Sequence, residues 1–318
     1  MIRFALIKFG GFVATFLVAA AIIFLALDVL PGDPARFMLG ISATPDAVAA
    51  LQAQLGLDAP GWQRFLGFAA GVFVGNLGPS TAMGQPVGTL IGGALGVTIP
   101  LTLLAMILAA GIGAPAGIFA ARRRGSIGDT ALTVLARIGV ATPNFWLGML
   151  LVLLFAVTLR WLPPGGFVPW GENPVAAFAS LILPAIALAL PLAGILALAM
   201  RTALIDVQSS HYIRAARAKG MTTQEAMRRH GLRNALLAVL GTASLHFAWL
   251  IAGTVIVENV FYLPGLGRLI FDAMAARDLF LIRGSVAVLV LLMIGTMFLM
   301  QFGAALFDPR LTSQRAND

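Results

Sequence analysis

The sequence predicts an all-α polytopic membrane protein with six transmembrane helices, and three observations carry that prediction. Hydrophobic residues make up 59% of the 318 and charged residues only 11%, at a mean hydropathy of +0.94. That is more apolar surface than a soluble core of this size hides. Crossing the hydrocarbon takes roughly 20 apolar residues, and six runs of that order occur at about 9–30, 90–120, 131–158, 177–200, 235–257 and 284–306. Several are longer than the minimum, so tilt or extension beyond the bilayer is expected. The third observation is the uneven distribution of basic residues. Six spans put both termini on one side. A cytosolic placement gathers Arg3, Lys8, Arg122 to Arg124, Arg201, Arg214, Arg217, Lys219, Arg228, Arg229, Arg233, Arg310 and Arg315 there, against Arg36, Arg64, Arg160, Arg268, Arg277 and Arg283 outside. This asymmetry orients the chain. The net charge of +8 is thereby a matter of topology and does not indicate nucleic acid.

In chain order, the first run follows Arg3 and Lys8 as a secretory signal would, but it is longer than an h-region and lacks a small-residue cleavage site. An uncleaved span is expected. Residues 31–88 form an external segment with helix signals of its own. Thr44 is an N-cap, Pro45 a first helical residue and Asp46 an acid at the positive end of the dipole, so a helix of about ten residues should reach Gln54. Leu55 to Pro60 reads as a turn, and Trp62, Phe65, Leu66, Phe68 and Phe73 mark a second helix. The core starts after a boundary at Gly84–Gly88. In the second span, Gly113 and Gly117 have the spacing that lets membrane helices approach closely, read first as packing within the chain and second as a subunit contact. Arg137 in the third span is near enough to the cytosolic end to snorkel. Asn173 and Pro174 open the fourth span, where Pro184 and Pro191 predict a kink. The resulting division is 1–88, then a core of 89–306 containing a loop at 201–234, then a tail at 307–318.

Several chemistries are excluded. A phosphate-cradling Walker motif needs Gly-Lys-Ser/Thr, and the only lysines are Lys8 and Lys219. There is no cysteine, and His211, His230 and His246 lack ligand spacing, so no metal, cofactor or catalytic residue is expected and the chain is read as no enzyme by itself. Acids are nearly absent from the deep segments: Asp28 and Glu258 lie near external ends and Asp129 near an internal one. That weakens a secondary carrier or channel, which stays as an alternative together with a non-transporting scaffold.

The 201–234 loop is longer than the roughly 2–8 residues that a helix connection needs. Gly220 suits the position just past a helix C-terminus, and Thr222 with Glu225 has capping-box spacing. Two short helices on the membrane surface are therefore predicted. The loop's sequence, Arg214-Ala215-Ala216-Arg217-Ala218-Lys219-Gly220 followed by His230-Gly231-Leu232-Arg233-Asn234, resembles the EAA loop of binding-protein-dependent ABC importer permeases. Arg214 replaces the loop's namesake Glu and Arg233 its Pro, as in the dipeptide, oligopeptide and nickel branch. Pro31-Gly32-Asp33-Pro34-Ala35, Pro143-Asn144-Phe145-Trp146-Leu147-Gly148, Glu258-Asn259-Val260-Phe261, Pro264-Gly265-Leu266-Gly267 and Asp308-Pro309-Arg310 extend the likeness over nearly the whole chain; Asn76 and Pro79 depart from it.

The resemblance implies a type I ABC importer transmembrane domain in the bacterial inner membrane, forming half of a pathway for peptides or related solutes. It implies a second permease, two ATP-binding subunits carrying ATP and Mg, an external binding protein and membrane lipid as partners. By the same resemblance Tyr212 to Lys219 is the coupling helix. Tyr212, Arg214, Ala215, Ala216, Arg217, Ala218, Lys219 and Gly220 would dock on the ATPase, supported by Thr222, Glu225, His230 and Asn234. The three alanines would permit close approach while the basic residues meet acidic rims. Arg122 to Arg124 is a topology determinant or a second dock. Asn144, His246, Glu258, Pro264, Gly265 and Gly267 are the external gate and pathway candidates.

Overall fold

The computed structural model of the chain describes residues 2–28, 35, 39 and 43–307. The Pro31–Pro34 block, the final residues of the first predicted span and Asp308-Pro309-Arg310 lie outside these. The elements are α1 (Ile2–Asp28), α2 (Pro45–Gln54), α3 (Gly61–Val74), α4 (Val87–Arg122), α5 (Ile127–Ala141), α6 (Asn144–Leu151, continued by π-helical turns over Val152–Thr158), α7 (Pro174–Gln208), α8 (His211–Ala218), α9 (Thr223–Ala226, leading through a π-helical turn at Met227–Gly231), α10 (Leu232–Val260), α11 (Leu266–Ala275) and α12 (Leu279–Phe307). Among the described residues no strand forms beyond an isolated Pro79–Pro86 bridge. Five helices are long and apolar enough to cross a membrane, and six spans result if the bent α5–α6 pair counts as one.

Helix starts follow their capping residues. Thr44 Oγ1 accepts from the Ala47 amide at 3.4 Å, and Asn173 Oδ1 accepts from the Val175 and Ala176 amides at 3.1 Å each. The third span is where expectation and structure part. An unbroken helix over 131–158 is replaced by α5 and α6, bent by 103°. Pro143 has no N–H to continue the ladder, and its ring pushes the preceding residue out of the helical region; Thr142 sits at φ −85°, ψ 125°. The Thr142 hydroxyl donates to the Ile138 carbonyl at 2.7 Å, occupying an acceptor that the break leaves free. α7 carries Pro184 and Pro191 inside one continuous helical segment.

Lipid tails are as apolar as leucine, so membrane helices are held by close contact and polar pairs more than by the hydrophobic effect. The α4–α7 seam shows this. A Cβ at Gly113 would stand 2.6 Å from the Ala193 carbonyl oxygen, and one at Gly117 would stand 2.7 Å from Met200 Cβ. The two glycines thus serve packing within the chain, the first of the two readings above. One apolar cluster joins α4, α7 and α10 through Leu101, Leu188, Met200 and Phe247. A second joins α1, α3, the start of α4, α11 and α12 through Phe16, Phe24, Phe68, Ile91, Leu266 and Leu281.

Candidate functional site

At one end of the bundle, α8 and α9 form the two short helices predicted for the loop. Gly220 has φ +93°. Its amide donates to the Arg217 carbonyl at 2.9 Å and that of Met221 to the Ala216 carbonyl at 3.3 Å, the paired bonds of a Schellman C-cap. Thr222 Oγ1 accepts from the Glu225 amide at 3.3 Å, which starts α9. Asn234 Nδ2 donates to the His230 carbonyl at 3.1 Å. Gly231 is buried: a Cβ there would meet Met227 Sδ at 2.8 Å and Val207 Cγ1 at 3.2 Å, so the π-helical turn presses against the end of α7.

The structure separates the three alanines of α8. Ile213 and Ala216 are 1% and 8% exposed and pack with Ala226, Val207, Met221 and Met227. Ala216 therefore belongs to the inner face of α8 and not to a face shared with Ala215 and Ala218. The reason is angular: neighbouring residues on a helix lie about 100° apart, whereas residues three or four apart share a side. Tyr212, Ala215, Ala218 and Lys219 line the exposed side, flanked by Arg214 and Arg217. Arg214 Nη2 lies 3.2 Å from His211 Nδ1.

The same end holds an ion pair that the sequence did not reveal. Arg201 near the end of α7 donates to Asp129 in the first turn of α5, Nε to Oδ1 at 2.5 Å and Nη2 to Oδ2 at 2.7 Å. The Gly125 amide adds 3.0 Å to Oδ2. The fork geometry of guanidinium on carboxylate makes this a strong, directional link between the α4–α5 turn and α7. Arg201 is thus a structural partner of α5 as well as a contributor to the charge asymmetry. Arg122, Arg123 and Arg124 are exposed, with the Arg123 guanidinium 4.4 Å from the Phe119 ring centre.

At the opposite end, the gate candidates divide. Glu258, Gly265 and Gly267 meet. Glu258 is fully buried; its Oε1 accepts from Thr98 Oγ1 at 2.7 Å and its Oε2 from the Gly267 amide at 2.7 Å. The Arg268 amide also donates to this carboxylate, and the Leu266 amide donates to Thr98 Oγ1 at 2.8 Å. These are the otherwise orphaned first amides of α11. Gly265 in the N-cap position has no side chain to satisfy them, so α10 and α4 cap α11 instead. Negative charge is favoured at a helix N-terminus, which accounts for a buried carboxylate whose partners are amides and a hydroxyl. A Cβ on Gly265 would collide with that carboxyl group.

Asn144 and His246 lie elsewhere. Asn144 Nδ2 is 3.0 Å from where a Gly253 Cβ would stand, further down α10, and His246 Nδ1 contacts the Thr242 carbonyl at 2.9 Å. Pro264 is exposed. Buried Phe261 completes the junction: its carbonyl accepts from the Gly166 amide at 2.8 Å, and its ring leaves no room for a Cβ on Gly148 of α6, which would stand at 2.9 Å. Close by, buried Asp278 accepts from Ser80 Oγ at 2.6 Å, the Ala82 amide at 3.0 Å and the Leu281 amide at 3.0 Å. It caps α12 and fastens the segment before α4 to it. Thr98, Phe261, Asp278 and Ser80 were not among the sequence-predicted site residues. Phe261 entered the sequence reading only as part of the Glu258–Phe261 block, and Asp278, the residue before α12, is an acid at a helix start.

A membrane bundle with a built two-helix loop at one end and a tightly capped junction at the other has the architecture of a type I ABC importer transmembrane domain. The chain belongs to the family of binding-protein-dependent transport system inner membrane components: that family's model matches residues 113–313, and the model of the N-terminal part of such membrane components matches residues 1–88. A protein of Brucella abortus (strain 2308) named as a peptide transport system permease is 40% identical over 295 residues, 93% of this chain and 94% of its own. The glutathione transport system permease of Salmonella choleraesuis (strain SC-B67) is 37% identical over 286 residues, 90% of this chain and 91% of that one. In fold, a chain of the MetNI methionine ABC transporter in an inward-facing conformation matches with a TM-score of 0.56 at 20% identity, covering 70% of this chain and 96% of that chain.

Proposed function

We propose that this permease subunit forms half of a peptide-importing pathway and that the exposed face of α8 is where an ATP-binding subunit docks. The observation that carries the docking reading is the division of α8. Its inner side, Ile213 and Ala216, is bolted to α7 and α9, so a push on the outer side is delivered into α7 and α10 without deforming the loop first. Tyr212, Ala215 and Ala218 offer a low, half-apolar contact, and Arg214, Arg217 and Lys219 surround it with positive charge suited to an acidic groove rim. Ala216 acts through the seat of α8 and not by touching the partner.

The remaining parts of the reading follow from the family and the charge distribution. Both termini and α8 face the cytosol, the junction at Glu258 faces outward, and the membrane is the bacterial cytoplasmic one. A second permease, two ATP-binding subunits that hold ATP and Mg, an external binding protein and surrounding lipid complete the assembly. Residues 1–88 add a span and an outer helical segment to the core of 89–306, and 307–318 form the tail. Peptides are favoured as cargo by the name of the Brucella relative, with glutathione-like compounds next. The carrier, channel and scaffold alternatives find no support in the family. Reconstitution with the partner subunits tests the proposal: ATP-dependent peptide uptake, absent when any partner is omitted, is expected, and ion-gradient-driven uptake by this chain alone would contradict it.

A further inference from the structure

The helix that leaves the docking loop is continuous from Thr223 to Val260, 38 residues, and at about 1.5 Å per residue it spans about 57 Å. It begins beside α8 and ends at the Glu258 junction. There one carboxylate ties three elements: its own helix α10, α4 through the Thr98 hydroxyl, and α11 through the Gly267 and Arg268 amides. Thr98 closes the triangle by accepting from Leu266. Immediately past this carboxylate's helix end, Phe261 carries the contacts to α6 and the 165–166 turn. Polar groups that are fully buried and mutually satisfied hold one geometry firmly, because each bond broken leaves a buried group without a partner.

We propose that Glu258 is a positioning residue of transport. It fastens the far end of the α10 lever to α4 and α11, so that displacement at the α8–α9 loop moves the Leu263–Gly267 turn together with α4 instead of being lost as slack at the joint. This rests on the docking reading above, and the two fail differently.

The test uses the complete transporter in proteoliposomes, with Glu258→Gln, Thr98→Val and Thr98→Ser. Valine keeps the shape of threonine and removes both hydrogen bonds; serine keeps the hydroxyl. Peptide uptake per ATP hydrolysed is expected to fall about tenfold in Thr98→Val and Glu258→Gln, the equivalent of one charge-assisted hydrogen bond, while the ATP-binding subunits stay bound and Thr98→Ser matches wild type. Wild-type coupling in Thr98→Val would overturn the proposal. So would equal loss in Thr98→Ser, which would show that keeping the hydroxyl does not preserve coupling, and so would loss of the assembled complex in both Thr98→Val and Glu258→Gln, which would make the cap a folding requirement only. Failure of the wild-type chain to retain any ATP-binding subunit would remove the docking reading itself.

Discussion

Removing the Asp129 carboxylate should loosen the α5–α7 contact by an amount that the geometry sets. Asp129 accepts a two-pronged bond from Arg201 and a third from the Gly125 amide. Its side chain is 5% exposed and that of Arg201 is 26% exposed. Stripping one partner from a fully buried ion pair costs about 3–5 kcal/mol. Arg201 retains some access to water, so its orphaned charge is partly resolvated, and Asp129→Ala should cost clearly less than that. Asp129→Asn keeps an acceptor for Gly125 and should cost less. Arg201→Met with Asp129→Leu removes both charges and should recover much of the loss, giving a non-zero coupling energy in a double-mutant cycle. Thermal unfolding of purified protein in detergent reads this as a fall of several degrees for Asp129→Ala and a smaller one for the double variant. Strictly additive effects of the two substitutions would refute the reasoning, since they would mean that the two charges do not depend on each other.

Other expectations are simpler to state. Gly117→Val should destabilise the α4–α7 seam by about 3 kcal/mol or more, at the upper end of overpacking effects, whereas Gly111→Ala, with open space around its Cβ, should be near neutral; the same unfolding assay compares them. Gly220→Pro should uncouple substrate-stimulated ATPase without lowering membrane abundance, because φ +93° lies outside proline's range and the Gly220 amide is a donor in the C-cap. Single cysteines in this cysteine-free chain should be labelled by an impermeant thiol reagent in intact cells at position 171 and shielded at position 210, and the reverse pattern would overturn the orientation.

Much of the fold was legible because its signals are local. Thr44, Pro45 and Asp46 define the start of α2, Asn173 and Pro174 that of α7, and Thr222 with Glu225 that of α9; in each case the capping atom and the amide it serves are three or fewer residues apart. Gly220 was legible for the same reason. The bend at Thr142–Pro143 was hidden inside an apolar run long enough to cross, and hydropathy counts residues without registering which proline breaks a ladder: Pro143 separates two helices, while Pro184 and Pro191 are absorbed in α7. Pairs distant in sequence left no trace. Asp129 and Arg201, Thr98 and Glu258, and Ser80 and Asp278 meet only after the helices pack. The orientation of Ala216 likewise depends on Val207 and Ala226, which flank α8 from other elements, and eight residues of mixed polarity do not specify which side turns inward.

Co-purification of the ATP-binding subunit from detergent extracts tests the central claim, that the outer face of α8 is the dock and its inner face the seat. Ala215→Trp places an indole on the exposed face and should remove the partner by blocking close approach, where misfit costs about 1–3 kcal/mol. Arg217→Ala removes an exposed charge whose pairing is worth about 0–1 kcal/mol, so it should weaken the complex only modestly, and less as salt rises. Retention of the partner by Ala215→Trp together with its loss from Arg217→Ala would contradict the account and assign the joint to charge instead of packing.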